Sequence, residues 1–344
     1  MNQGRIVIID ALRVLCVCLL ITYHSFAIFT GSWERPESVS IIDCYRWIGR
    51  IAYSFMLPLW VFISGFLWGY QLYGKCKRLT FIGLVRKKTA KLLVPAYLFS
   101  LLYLLAFGSV SDLTQPFNLL IFLSGEGHLW FLPMLFWVFI YSYFVISINV
   151  PDYIKFPIVL VISALAWNLP SLGLGSGLYY LQFFYIGILT FKYQYIINTY
   201  LTKWNTIVFL GIGYIVSFVL LNPYIEWTSA LDVSTIKGRS LSQLLLHIIP
   251  IPYQITGVYL FYGLALKFES YYRNNPIIGF IASYSFGIYI VHQFILMLIY
   301  YHTPLPEKVS SYLLPVLSFI ITTVISIIFV NICLRSKIGR KLLS

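Results

Sequence analysis

Apolar residues along this chain neither alternate nor gather into short amphipathic blocks; they come in long runs cut by short polar stretches. Windows of roughly 20 apolar residues suit a hydrocarbon core about 30 Å thick. Ten such windows fall at 6–30, 47–72, 92–110, 129–148, 154–170, 178–197, 204–222, 241–266, 277–301 and 312–334. The fifth is short and bounded by Pro157 and Pro170, so its ends are soft. Continuous runs argue against a membrane barrel, whose strands alternate apolar and polar positions. The pattern predicts an all-α polytopic membrane protein of ten transmembrane helices in a single domain, 1–344, with no soluble-looking stretch long enough for a second.

Composition agrees. Hydrophobic residues make up 60% of the chain and charged ones 10%, against about 25% charged in a soluble domain. Mean hydropathy is +0.84. A cleavable leader is not expected, because the apolar runs recur to the end and no small-residue cleavage site follows the first. Lys and Arg set the orientation. With the N-terminus inside, 17 of them flank the cytoplasmic ends and 6 the outer ends, which predicts cytoplasmic N- and C-termini. The net charge of +13 is then a topology signal with attraction to anionic lipid, and it points to no nucleic-acid partner. The five cysteines are scattered and odd in number, so no disulfide framework is expected. Nor is there a metal-ligand cluster, a glycine-rich phosphate loop or an internal repeat.

Charge inside the first window changes the picture. "DALRVLCVCLLITYH", residues 10–24, carries Asp10, Arg13 and His24 in an otherwise apolar run. Arg13 and His24 are eleven residues apart, about 20° past three full turns, so they project from nearly one face with about 16 Å between them. Asp10 stands three residues before Arg13, close enough to pair. Measured from Ile6, Arg13 sits about 10 Å deep and His24 about 27 Å deep. An arginine within a membrane helix costs a few kcal/mol. Two readings follow: an ion pair that fixes helix packing, or a polar stripe lining a wet cavity. In the second, Arg13 holds an anion arriving from the cytoplasm and His24 does proton chemistry further out.

Other polar landmarks add to the second reading. The segment 73–91 holds seven positive and no negative charges, which a positive-inside anchor explains and a phosphate-bearing ligand would also suit; its second half reads as a juxtamembrane helix ending at Pro95. Ser64 and Gly65 in "FISGFLWGY" suit close helix approach. Glu126, His128 and Trp130 in "GEGHLWFLPMLFW" stand at the outer mouth of the fourth window, where they could border an acceptor. Tyr289 and His292 share a face of the ninth window, His292 about 22 Å along it and so at a depth like that of His24. Pro250, Pro252 and Gly257 break the eighth window, which hydrocarbon tolerates only beside protein or a cavity.

Taken in order, these motifs resemble the acyltransferase-3 family of bacterial integral-membrane O-acyltransferases that modify surface glycans. Arg13 and His24 match its first-helix pattern of Arg, ten residues, His. "SGF" at 64–66, "HLWFL" at 128–132 and "SYSFGIYIVH" at 283–292 resemble its later elements. Where the family often shows paired arginines before the third helix, this chain has Lys88 and Lys91, which keep the charge and lose the bidentate fork. Some relatives carry a fused serine-esterase-like domain, which is not expected here. The resemblance implies transfer of an acyl group, most often acetyl, from cytoplasmic acyl-coenzyme A to a hydroxyl of a surface polysaccharide, an O-antigen or its lipid-linked precursor, at the bacterial cytoplasmic membrane. Arg13, with Lys88 and Lys91, would hold the donor. His24 would act as general base or acyl carrier. Asp10, Ser64, Glu126, His128, Trp130, Tyr289 and His292 would line the cavity or meet the acceptor. Acyl-coenzyme A is then a co-substrate, with no bound cofactor or metal. The alternatives are a glycan exporter or flippase without chemistry and an assembly subunit with a polar packing network.

Overall fold

A computed structural model describes residues 6–77, 79–108, 123–166, 172–229 and 236–343, with the side chains of 226–229, 236–240 and 243 set aside. Among them the chain is helical with no strand, and nine helices are long and apolar enough to cross a bilayer. We number ten helices in chain order: α1 Val7–Ser25, α2 Asp43–Gly74, α3 Phe81–Phe107, α4 Gly127–Ser147, α5 Asp152–Ala164, α6 Leu174–Lys192, α7 Trp204–Ser229, α8 Leu244–Lys267, α9 Pro276–Tyr301 and α10 Leu314–Leu334. The chain is an all-α polytopic membrane protein.

The expected fifth span is the exception to the count. Helix α5 has 13 residues, about 20 Å at 1.5 Å per residue, which is short of a bilayer core. The end of that expected window, 167–170, lies outside the described residues, as do 109–110 of the third window and Arg78 of the basic segment. The expected stop at Pro95 is also absent. Thr80 caps α3 by accepting from the Gly83 N–H at 3.2 Å, and the helix then runs on through Pro95. Pro95 has no N–H to return to the fourth residue before it. The ladder slips there to a π-helical turn, Thr89–Leu93, closed by Val94 N–H on the Thr89 carbonyl. A second π turn, Tyr70–Gly74, ends α2. The break expected in the eighth span is present: helix Ile236–Ile248 stops, Ile249 and Pro250 form a turn, and helix Ile251–Lys267 resumes.

Contacts gather in two compact units, Met1–Leu57 with Phe268–Ser344, and Pro58–Lys267. In the first, α1 packs on α9 and α10, which pack on each other. The buried positions of α1 recur at three- and four-residue steps, Ile9, Leu12, Cys16, Val17, Leu20, Ile21 and His24, giving one inward face. Ser318, Thr322 and Ser326 repeat every four residues on α10 and are fully buried. Small side chains of this kind let membrane helices approach, since lipid gives them no hydrophobic drive to associate. In the second unit α2 crosses α6 through backbone contact: a Cβ on Gly65 would stand 2.0 Å from the Phe184 carbonyl oxygen, and one on Gly187 would stand 2.3 Å from that of Phe62. All five cysteines are free.

Candidate functional site

The centre of the first unit is a contact between two histidines 268 residues apart, His24 on α1 and His292 on α9. Both are buried, His292 completely. Their rings lie 4.8 Å apart, with His292 Nε2 at 3.1 Å from His24 Nδ1. The depth match between these two helices thus becomes a direct hydrogen bond.

The surrounding atoms assign the protons. His292 Nδ1 lies 2.7 Å from the carbonyl oxygen of Tyr289 and 3.2 Å from that of Ile288. A carbonyl oxygen only accepts, so Nδ1 carries the hydrogen and, in the neutral ring, Nε2 is the acceptor. His24 Nδ1 therefore faces two acceptors, His292 Nε2 and the Leu20 carbonyl oxygen at 3.1 Å. It must be the N–H, and His24 Nε2 keeps its lone pair. Network geometry thus fixes which nitrogen of His24 can take a proton.

Aromatic rings enclose this pair. Trp33 lies 5.6 Å from the His24 ring and 6.2 Å from Tyr300, whose hydroxyl donates to the Ser25 carbonyl. Tyr23 packs edge-on to His24, stacks on Tyr53 at 4.4 Å and shares a hydrogen bond with Ser32 at 3.0 Å. Tyr301 donates to the Glu34 carbonyl, which pins the segment that carries Trp33. None of Trp33, Tyr23 and Tyr300 was singled out in sequence, because an aromatic near a membrane end reads by default as part of the interfacial belt.

Lower on the same face of α1, Arg13 pairs with Asp10 at 3.7 Å. Asp10 is buried, whereas the Arg13 side chain keeps 38% of its surface exposed. Tyr289 is buried, its carbonyl engaged by His292 and its ring 6.3 Å from that of His292.

The remaining expected site residues belong to the second unit. The Ser64 hydroxyl donates to the Trp60 carbonyl at 3.1 Å, a back-bond within α2. Lys88 lies over the ring of Phe139 at 3.2 Å and 5.8 Å from Trp68, while Lys91 is exposed. The Glu126 backbone N–H donates to the Ser100 hydroxyl oxygen at 2.9 Å, and the chain leads into the 3₁₀ turn Gly127–Trp130, in which His128 is buried. Trp130 meets Phe131 and Tyr180. Beside the break in α8 lies a cavity of 450 Å³ lined by Tyr179, His247 and Gln254, with Tyr179 donating to Gln254 Oε1 at 2.8 Å. His247 and Gln254 were missed, since each stands alone in an apolar run.

Among the described residues no group of three metal-ligating side chains occurs. The histidine pair offers a neutral imidazole nitrogen suited to proton transfer, with a cation on the same helix face about 16 Å away. No curated protein and no solved structure matches the chain. A family model described as an acyltransferase domain matches residues 6–334. That span takes in both histidines and the polar stripe below them, and the chain belongs to the acyltransferase-3 family.

Proposed function

We propose that the protein is an O-acyltransferase of the bacterial cytoplasmic membrane. It moves an acyl group, acetyl in the first instance, from cytoplasmic acyl-coenzyme A to a hydroxyl of a surface polysaccharide, an O-antigen or its lipid-linked precursor. The observation that carries this reading is the tautomer of His24. A buried imidazole whose Nδ1 hydrogen is held by two acceptors presents Nε2 as a base. The acceptor hydroxyl gives its proton to Nε2 as its oxygen attacks the thioester carbonyl. The tetrahedral intermediate then collapses, the C–S bond breaks, and the coenzyme A thiolate recovers the proton from the imidazolium. The new positive charge on His24 is met by the Leu20 carbonyl and by His292 Nε2.

Arg13 serves the donor. The excess of Lys and Arg on one side supports a cytoplasmic start for α1, where the partly exposed Arg13 side chain meets phosphate oxygens in a bidentate fork. Asp10 offsets the cost of keeping that charge within the helix and fixes its rotamer.

The test is NMR of the purified surface polysaccharide from strains with and without the gene. Intact polymer lacking its O-acyl groups in the deletion strain is the expected result, and it reports acyl group and position together. Loss of the polymer itself would favour the second reading, export of a glycan intermediate, which the break in α8 and its 450 Å³ cavity also suit.

A further inference from the structure

We propose that Trp33 is the acceptor-binding residue of the site, holding a neutral pyranose against His24. This rests on the acyl-transfer reading above, and every residue it uses belongs to the first unit. The chain brings Trp33 to the histidine pair by a fixed route. The short helix Ala27–Thr30 that follows α1 ends at Gly31, whose φ of 79° lies in the left-handed region that glycine enters freely. The chain then doubles back: the Trp33 backbone N–H donates to the Ala27 carbonyl at 3.4 Å, and the Tyr301 hydroxyl donates to the Glu34 carbonyl at 2.6 Å. The indole is thereby set 5.6 Å from the His24 ring, with the Tyr300 ring edge-on at 6.2 Å.

The surroundings of Trp33 select the ligand. Trp33 is half-buried, and its indole N–H neither bonds to the protein among the described residues nor is sealed from solvent. It therefore offers a ligand both an electron-rich ring face and a donor. Beside it, Ser32 Oγ lies 2.9 Å from the Thr30 hydroxyl and 3.0 Å from that of Tyr23. Hydroxyls both give and take hydrogens, so this row of three matches the hydroxyl rim of a sugar. Tyr53, 38% exposed, stacks on Tyr23 and extends the aromatic surface. A pyranose has the complementary pattern, an apolar C–H face bounded by hydroxyls. A fatty acceptor would use the ring face and strand the indole N–H. Charge narrows the class further. At this end of the unit Glu34, Glu37, Asp43 and Glu307 equal in number Arg35, Arg46, Arg50 and Lys308, so no net field favours an anionic sugar. A sugar resting on the indole brings a ring hydroxyl to the imidazole, whose Nε2 takes its proton.

The test uses the full-length protein in nanodiscs, with acetyl-coenzyme A as donor and the oligosaccharide repeat of the de-O-acetylated surface polysaccharide as acceptor. Thiol release gives kcat and the acceptor KM, and mass spectrometry of the product identifies the acetylated sugar. Trp33→Ala and Trp33→Leu should each raise the acceptor KM about tenfold, the scale of one aromatic contact. The smaller part of the loss should fall on kcat, and the KM for acetyl-coenzyme A should not move. Trp33→Phe keeps a ring face and should recover most of the affinity. Leucine fills the site without a ring, so it separates stacking from packing even where Trp33→Ala fails to fold. If Trp33→Leu keeps the wild-type acceptor KM while the wild type transfers acetyl groups, the assignment is overturned and acyl transfer stands. Equal loss of kcat in all three variants at unchanged KM overturns it in the same way and leaves Trp33 a packing residue. Acetyl found on a uronic or other acidic sugar overturns the neutral acceptor. A wild type that releases no thiol with the acceptor present overturns the acyl-transfer reading, and this assignment with it.

Discussion

The basicity of His24 Nε2 is decided across the ring, at Nδ1, where the Leu20 carbonyl and His292 Nε2 both demand a hydrogen. In the proposed mechanism, removing the imidazole removes the base. His24→Ala should lower acyl transfer at least about 100-fold, with membrane insertion and melting temperature near wild type; acylation that persists in such a variant sinks the assignment. In the proposed mechanism His292 acts through His24, and its replacements should rank by what they offer Nδ1. His292→Gln presents an amide oxygen and should keep much of the kcat. His292→Lys presents only donors and turns the preferred tautomer around, a fault that costs up to about 10⁴ in kcat in serine-protease triads. Equal losses in the two variants, measured as kcat at saturating donor, would reduce His292 to a packing residue. At this scale the sequence was half legible. The eleven-residue interval placed Arg13 and His24 on one face of α1, and depth alone suggested His292 as a neighbour. The proton assignment was not readable, because it depends on where the carbonyls of Leu20, Ile288 and Tyr289 lie relative to the rings.

Helices in this protein meet through small residues and a few polar ties, and each kind makes a checkable difference. The α2–α6 crossing leaves no room for a methyl group at Gly65, whose added Cβ would overlap the Phe184 carbonyl oxygen. Gly65→Ala should cost about 1–3 kcal/mol of stability, the range for overpacking, and a thermal melt in detergent should show a lowered midpoint; an unchanged midpoint refutes the close approach. The α5–α6 tie is ionic. Burial alone would raise the Asp152 carboxyl, but hydrogen bonds from Lys192, Tyr193 and Tyr185 outweigh it and hold the group below the usual carboxylate range. A carboxylate whose folded value is depressed adds stability above its unfolded value, about 3.9, and loses it as pH falls through the folded one. The wild type should therefore outlast Asp152→Asn in melting experiments at pH 7 and at pH 5, with the gap closing below about pH 4. A gap that widens on acidification would contradict the tie. The long spans were legible as uninterrupted apolar runs. The π turn before Pro95 was not, because a proline in sequence signals a helix stop as readily as a slipped ladder. The Asp152 cluster was not legible for a different reason: Asp152 lies 33 to 41 residues from its partners Tyr185, Lys192 and Tyr193 and meets them only once α5 packs on α6.

Across the whole molecule, the orientation set by basic flanks makes the sharpest prediction. Cys44 and Cys76 are both exposed, near opposite ends of α2. A membrane-impermeant maleimide should label Cys44 in spheroplasts and Cys76 only in inverted vesicles, with Cys44→Ser and Cys76→Ser as controls. The reverse pattern would turn the protein over and overturn the proposed donor role of Arg13. The order of the chain also has a consequence in time. His24 belongs to the first helix made and His292 to one of the last, 268 residues later. At the roughly 5–20 residues per second of synthesis, about 13 to 54 seconds separate them. Helix α1 has been made that long before the ring that sets its tautomer exists. A chain that stalls before α9 holds Arg13 and His24 with only the Leu20 carbonyl at Nδ1, so in the proposed mechanism the base is completed only as translation nears its end.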